Sequence, residues 1–220
     1  MLVGHIAAAM VGKRVEPKLS FGTLVLAALL ADVLWCVFLL AGIEHVQIRS
    51  GLGAANYIEV FEVPFSHSLL MDAVWAALFA GIYFWRRRYI RGAVVLFVMV
   101  LGHWLLDFVA HKDAMPLAPG LSSHVGLGLW SSVPATIIVE GGLWLLAVII
   151  YLRATRSNGR AGVVVFWIVF LLLTLAWFNN IAGPPPPNPS TMGISSLIFF
   201  ALIVAWAYWM NRLRAARGSD

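Results

Sequence analysis

Six long apolar runs dominate the chain, at roughly 20–42, 66–85, 92–111, 133–152, 162–181 and 193–211. Each is close to the ~20 residues that an α-helix needs to cross the hydrocarbon of a bilayer. A shorter apolar piece, 1–12, precedes them and is followed by Lys13 and Arg14. A secretory signal carries its basic residues ahead of the apolar part, so this piece reads as a short re-entrant or interfacial helix and not as a leader. Polar stretches near 43–65, 112–132 and 182–192 connect the runs on one side. The last holds four prolines at 184–187, which favour a stiff polyproline II connector. The pattern predicts an all-α membrane protein: one polytopic domain over 1–220, with six transmembrane helices and the short N-terminal element. It shows no internal repeat and no second domain.

Composition agrees with the pattern. The 220 residues are 61% hydrophobic and only 11% charged, which excludes a soluble globular domain of this length. The one cysteine, Cys36, lies inside an apolar run and excludes a disulfide framework. A net charge of +5 could suggest a nucleic-acid partner, but the cations flank apolar runs and form no basic face. Lys13, Arg14, Lys18, Arg86, Arg87, Arg88, Arg91, Arg153, Arg156, Arg160, Arg212, Arg214 and Arg217 all fall on one side of a six-span chain. Only Arg49 and Lys112 fall on the other. The positive-inside rule makes the basic side cytoplasmic and both termini internal. Arg86 to Arg88 then read as topology anchors.

Within this apolar background a few ionisable residues stand out. His103, Asp107 and His111 recur every four residues at the end of the third run, so they share one stripe of a helix. Ionisable groups at membrane depth cost several kcal/mol unless paired, hydrated or bound to an ion. The stripe therefore suggests a metal site or a proton path. Counting from the cytoplasmic anchors at 1.5 Å per residue puts Asp32 about 21 Å deep, His103 about 18 Å, Asp107 about 24 Å, Glu140 about 20 Å and His67 about 28 Å. His5 lies about 12 Å in, if the first piece enters the membrane. The shared zone predicts one buried polar pocket opening outward. Structural alternatives apply to several of them. Asp32 could bond a neighbouring helix, Glu140 beside Gly141 and Gly142 could be a helix contact, and His111 and His124 flank a polar loop. His45 beside Glu44 reads as interfacial. Asp72, five residues past His67, is turned about 140° away. Glu59 and Glu62 read as solvated, and Trp85, Trp130 and Trp209 as interfacial anchors.

Several short motifs follow one another in order: Gly4-His5; Ala28-Leu29-Leu30-Ala31-Asp32; Pro64-Phe65-Ser66-His67-Ser68-Leu69-Leu70; Leu101-Gly102-His103-Trp104-Leu105-Leu106-Asp107; and Met115-Pro116-Leu117. This order, over roughly the first 120 residues, resembles the bacterial membrane-bound metal-dependent hydrolases described as LexA-binding, inner-membrane-associated hydrolases. The resemblance implies a polytopic protein of the bacterial inner membrane. It also implies His5, Asp32, His67, His103 and Asp107 as metal ligands. The family element with two acids reads Ala31-Asp32-Val33-Leu34 here, so leucine replaces the second acid. That weakens a multinuclear site or leaves Glu140 or His111 to substitute.

A mixed imidazole and carboxylate shell suits Zn²⁺, with Mn²⁺ second, as one or two ions. The expected activity is hydrolysis of a lipid or lipid-linked (phospho)ester by a metal-activated water. Glu140 is the expected general base or extra ligand. Ser66 could donate to a substrate oxygen, although helix capping is its commoner role. The alternative is a metal-ion or proton transporter without turnover. A b-type haem protein is disfavoured by the carboxylates among the histidines, and a purely structural family member gains support from the missing acid. No His-Glu-x-x-His or Gly-x-Ser-x-Gly motif occurs.

Overall fold

The computed structural model describes residues 1–48 and 58–217. Arg49 lies outside them, as does the side chain of Glu59. Among the described residues there are eight α-helices: α1 (Leu2–Val15), α2 (Phe21–Ala28), α3 (Leu30–Leu40), α4 (Leu69–Arg87), α5 (Ile90–Ala110), α6 (Val133–Ala154), α7 (Arg160–Ala182) and α8 (Pro189–Leu213). Helices α4 to α8 are each long and apolar enough to cross a membrane. The pair α2–α3 makes a sixth span if taken as one, but it bends by 52° at Leu29. The first apolar run is therefore a broken helix and not a straight span. Such breaks are tolerated inside a bundle where the freed backbone groups find protein partners. Here the carbonyl of Ala28 accepts from His103 Nδ1 at 2.8 Å.

The short helix α1 is not interfacial. Val3, Ile6, Ala9 and Met10 are buried, and the helix packs against α6 and α2. Its small residues permit this closeness: a Cβ on Gly12 would come within 2.6 Å of the Met99 side chain on α5. At fourteen residues it is too short to span, and protein covers most of its first three turns while Val11 and Val15 stay exposed. Helices α4 and α5 form an antiparallel pair around the Arg86–Arg88 turn, while α8 leans on α2 and α3.

The apolar-run reading held no strands, yet among the described residues three two-stranded antiparallel pairs cap the bundle. These are β1 (His45–Ile48) with β2 (Ile58–Glu62), β3 (Lys112–Pro116) with β4 (His124–Leu127), and β5 (Thr155–Ser157) with β6 (Arg214–Ala216). The first two pairs join helices at one end; the third ties α6 to α8 at the basic end. Pairing satisfies backbone groups that a loop would otherwise leave to solvent. Helix starts follow ordinary capping. The hydroxyls of Ser20, Ser68 and Ser132 and the Asn188 amide oxygen accept from backbone N–H groups in the first turns of α2, α4, α6 and α8. The cap of α4 is thus Ser68, and the capping role expected for Ser66 is not its role.

Candidate functional site

Helix α5 sets the site. His103 and Asp107 lie one turn apart on its buried face, 1% and 2% exposed. The break before α3 puts Asp32 in that helix's first turn, where the helix dipole favours an anion. The turn ahead of α4 contributes His67, and α1 contributes His5. The structure brings these five residues together from four elements.

Asp107 divides the cluster. Its Oδ1 accepts from the Met1 amine at 2.7 Å and lies 3.2 Å from His5 Nε2, while its Oδ2 lies 3.2 Å from His103 Nε2 and 3.7 Å from His67 Nε2. Asp32 Oδ1 lies 3.7 Å from His67 Nε2 and 3.9 Å from His103 Nε2, and the two Nε2 atoms are 3.3 Å apart. His5 stacks on His103 with 3.8 Å between ring centroids. Two sets, His5–His103–Asp107 and Asp32–His67–His103, could each hold a metal ion, because one ligand atom from each residue lies within 4.8 Å of the others.

The hydrogen positions can be deduced for two rings. The carbonyl of Ala28 only accepts, so His103 Nδ1 donates to it and, in the neutral ring, Nε2 carries a lone pair. His67 Nδ1 lies 2.7 Å from Ser66 Oγ, and that hydroxyl donates to Glu44 Oε2 at 2.6 Å. Glu44 Oε1 accepts the backbone N–H groups of Phe65 and Ser66, both at 2.8 Å. Glu44, which the sequence offers only as the neighbour of His45, is 1% exposed and directly behind the site. No periodicity could mark it, because it follows α3 in a loop and reaches its partners across twenty-one residues.

Other expected residues take different places. His111 caps the end of α5, is 6% exposed, and its Nδ1 lies 3.1 Å from the Asp107 carbonyl; it lines the same cavity but belongs to neither metal-competent set. Glu140 is also outside both sets. It accepts the indole N–H of Trp130 on Oε1 and that of Trp177 on Oε2 at 2.9 Å. A Cβ on Gly141 would meet the Trp177 ring at 3.2 Å, so the glycine beside Glu140 admits that indole. Trp130 leans on the His111 ring, 4.7 Å between centroids, while Trp85 is 68% exposed. Asp72 does not face away from the site. It is fully buried, its carboxylate oxygens lack hydrogen-bond partners among the described residues, and it feels the charges of His103, His67, Asp107 and Asp32. His45 and His124 are exposed.

A cavity of about 380 Å³ opens onto the cluster. Met1, Asp32, His67, Asp107 and His111 form its polar floor, and Trp35, Trp130, Met192, Phe199 and Phe200 its apolar sides. The end of α7 and the start of α8 add Asn179, Asn180, Ser195 and Ser196.

No curated protein and no solved structure matches the chain. A family model does, over residues 1–182, which include all five clustered residues, Glu44 and Ser66. The chain is a multi-pass inner-membrane protein, and it belongs to the YdjM inner membrane protein family.

Proposed function

We propose that the cluster is a divalent-metal centre and that the protein hydrolyses a lipid or lipid-linked (phospho)ester at it. One observation carries this reading: two imidazole Nε2 atoms, each backed by an acceptor on Nδ1, face each other at 3.3 Å between two carboxylates. Two lone pairs at that distance repel unless a cation or a proton lies between them. Each of these Nε2 atoms is 3.2–3.9 Å from the other ring's Nε2, Asp107 Oδ2 and Asp32 Oδ1. A tetrahedral zinc shell with ligands at about 2.0–2.1 Å has edges of about 3.3–3.4 Å. The donor set fits zinc, with manganese the alternative. His103 offers a single atom, so one ion is the simplest occupancy.

When bound, such an ion supplies Lewis acidity and a water acidic enough to attack an ester near neutral pH. The residues divide the remaining work. His67, His103 and Asp107 hold the ion. The Met1 amine, which donates to Asp107 Oδ1 at 2.7 Å and to His5 Nε2 at 3.0 Å, holds Asp107 from its other oxygen. Asp32, the loosest of the set by distance and 18% exposed at its side chain, faces the cavity and accepts the hydrogen of the attacking water. The amides and hydroxyls of Asn179, Asn180, Ser195 and Ser196 donate to substrate oxygens, and the aromatic sides take up its apolar part. Glu140 serves here as a helix-bridging acceptor and not as the base. The basic end of the bundle faces the cytoplasm, which places the cavity in the outer half of the membrane.

The test is turnover. Purified protein loaded with Zn²⁺ in mixed micelles should release product from lipid phosphoesters or carboxyl esters, and a chelator or His103→Ala should abolish release. A zinc-loaded protein inert toward every such ester, but carrying metal-ion or proton flux in liposomes, would replace hydrolysis with transport.

A further inference from the structure

Behind His67 stands a chain of groups that the metal reading does not use. Glu44 is at the end of the turn that follows α3, 1% exposed, and grips the Phe65–Ser66 backbone through Oε1. Its Oε2 receives the Ser66 hydroxyl at 2.6 Å, and Ser66 Oγ lies 2.7 Å from His67 Nδ1. A serine hydroxyl has one hydrogen, and an ionised carboxylate can only accept. Ser66 therefore spends its hydrogen on Glu44 and must accept from His67. Nδ1 carries the proton, and Nε2 is left bare toward Asp32, His103 and Asp107.

We infer that Glu44 is a positioning residue: through Ser66 it fixes the tautomer of His67 that presents an unprotonated Nε2 to the cluster. The inference rests on the metal-centre reading for its consequence, but the tautomer itself is a property of the metal-free protein. Outer partners of this kind orient ligating imidazoles, and their loss typically weakens metal binding by about 10–100-fold.

Glu44→Gln separates this role from the structural one. The Gln carbonyl oxygen can keep both backbone N–H groups, because turning the amide round would set donor against donor. Its NH₂ group then points at Ser66 Oγ and donates. The hydroxyl hydrogen, displaced from its acceptor, turns to His67 Nδ1, and the ring proton moves to Nε2. The loop stays held while the ligand atom is blocked.

The experiment is nitrogen-15 NMR of histidine-labelled full-length protein in lipid, metal-free, with His67 assigned from a His67→Gln spectrum. Zinc titration is run on the same samples. The expected result is Nδ1–H at His67 in the native protein, Nε2–H in Glu44→Gln, and about 10–100-fold weaker zinc binding in the variant. His103, set independently by the Ala28 carbonyl, should keep its tautomer and act as the internal control. Ser66→Ala, which leaves the grip of Glu44 on the backbone intact, should give a mixture of His67 tautomers and serves if Glu44→Gln does not fold. An unchanged His67 tautomer in both variants overturns the inference, as does unchanged zinc affinity alongside a flipped ring. Native protein that binds no zinc but shows the tautomer switch would remove the metal reading and leave the relay standing.

Discussion

At the scale of single residues, the site is a problem of hydrogen counting. Buried imidazoles and carboxylates in a bilayer protein are costly unless each lone pair has a proton or a cation. Most of the histidine Nδ1 atoms in the cluster have such a partner, but His5 Nδ1 has none among the described residues. His5 therefore depends on its stack with His103 and on the Met1 amine, which donates to its Nε2 at 3.0 Å and ties it to Asp107 Oδ1. Removing it should loosen Asp107 without deleting an ion ligand. His5→Ala is expected to weaken zinc binding by about 10–100-fold and not to abolish it, as read by competition with a chromogenic chelator. Much of this scale was legible in the sequence. The four-residue spacing on α5 put His103 and Asp107 on one face, and depth counting put Asp32 and His67 near them. Asp72 was not legible. Helical geometry turns it from His67, but His67 precedes the first turn of α4, so the helical angle between them does not apply.

At the scale of elements, the broken helix and the helix-bridging acid matter most. The break at Leu29 frees the Ala28 carbonyl for His103 and orients Asp32, so one irregularity places two residues of the site. No proline or glycine marks it, which is why the run 20–42 reads as a straight span; tertiary contact, and not local propensity, makes the bend. Glu140 is a complementary case. Its depth drew attention correctly, but depth cannot tell a reacting acid from an acceptor for two indoles. Helices α6 and α7 and the turn at Trp130 meet on that carboxylate. Glu140→Leu would leave the buried Trp177 indole N–H without an acceptor, at about 1–3 kcal/mol, and that of the half-buried Trp130 as well. The variant should unfold at lower temperature in detergent while retaining its metal. Loss of metal at unchanged stability would instead return Glu140 to the site. The strand pairs were illegible for a simple reason: strands of three to five residues at membrane ends carry too few positions for alternation to register.

At the scale of the whole molecule, the charge pattern fixes the expected orientation. Thirteen of the fifteen Lys and Arg residues belong to the turns and tails at one end, where Lys13 and Arg214 are buried. Lys13 donates to the Pro17 and Leu19 carbonyls, each at 2.7 Å. With the buried Cys36 as the sole native thiol, single cysteines can report sidedness. Ser122→Cys, on the hairpin end, should react with a membrane-impermeant maleimide in intact cells. Asn158→Cys, at the basic end, should react only after permeabilisation. The reverse pattern would invert the topology and turn the cavity toward the cytoplasm. The five straight spans, the sixth that α2–α3 makes if taken as one, and their order follow from apolar run lengths, because hydrocarbon thickness is a constraint that every span meets separately. The burial of α1 does not follow. Its apolar residues fit equally well against lipid or protein, and only packing against α2, α5 and α6 decides.

The central claim is that His67, His103 and Asp107 hold a metal ion beside Asp32, and metal content measures it directly. Elemental mass spectrometry on detergent-purified native protein should find about one zinc or manganese per chain, the occupancy of a single site with three protein ligands and one open position. The His103→Ala/Asp107→Ala double variant, folded by circular dichroism, should carry none. A native protein that is metal-free, and stays so after incubation with zinc and manganese, would contradict the account and leave a cluster that handles protons.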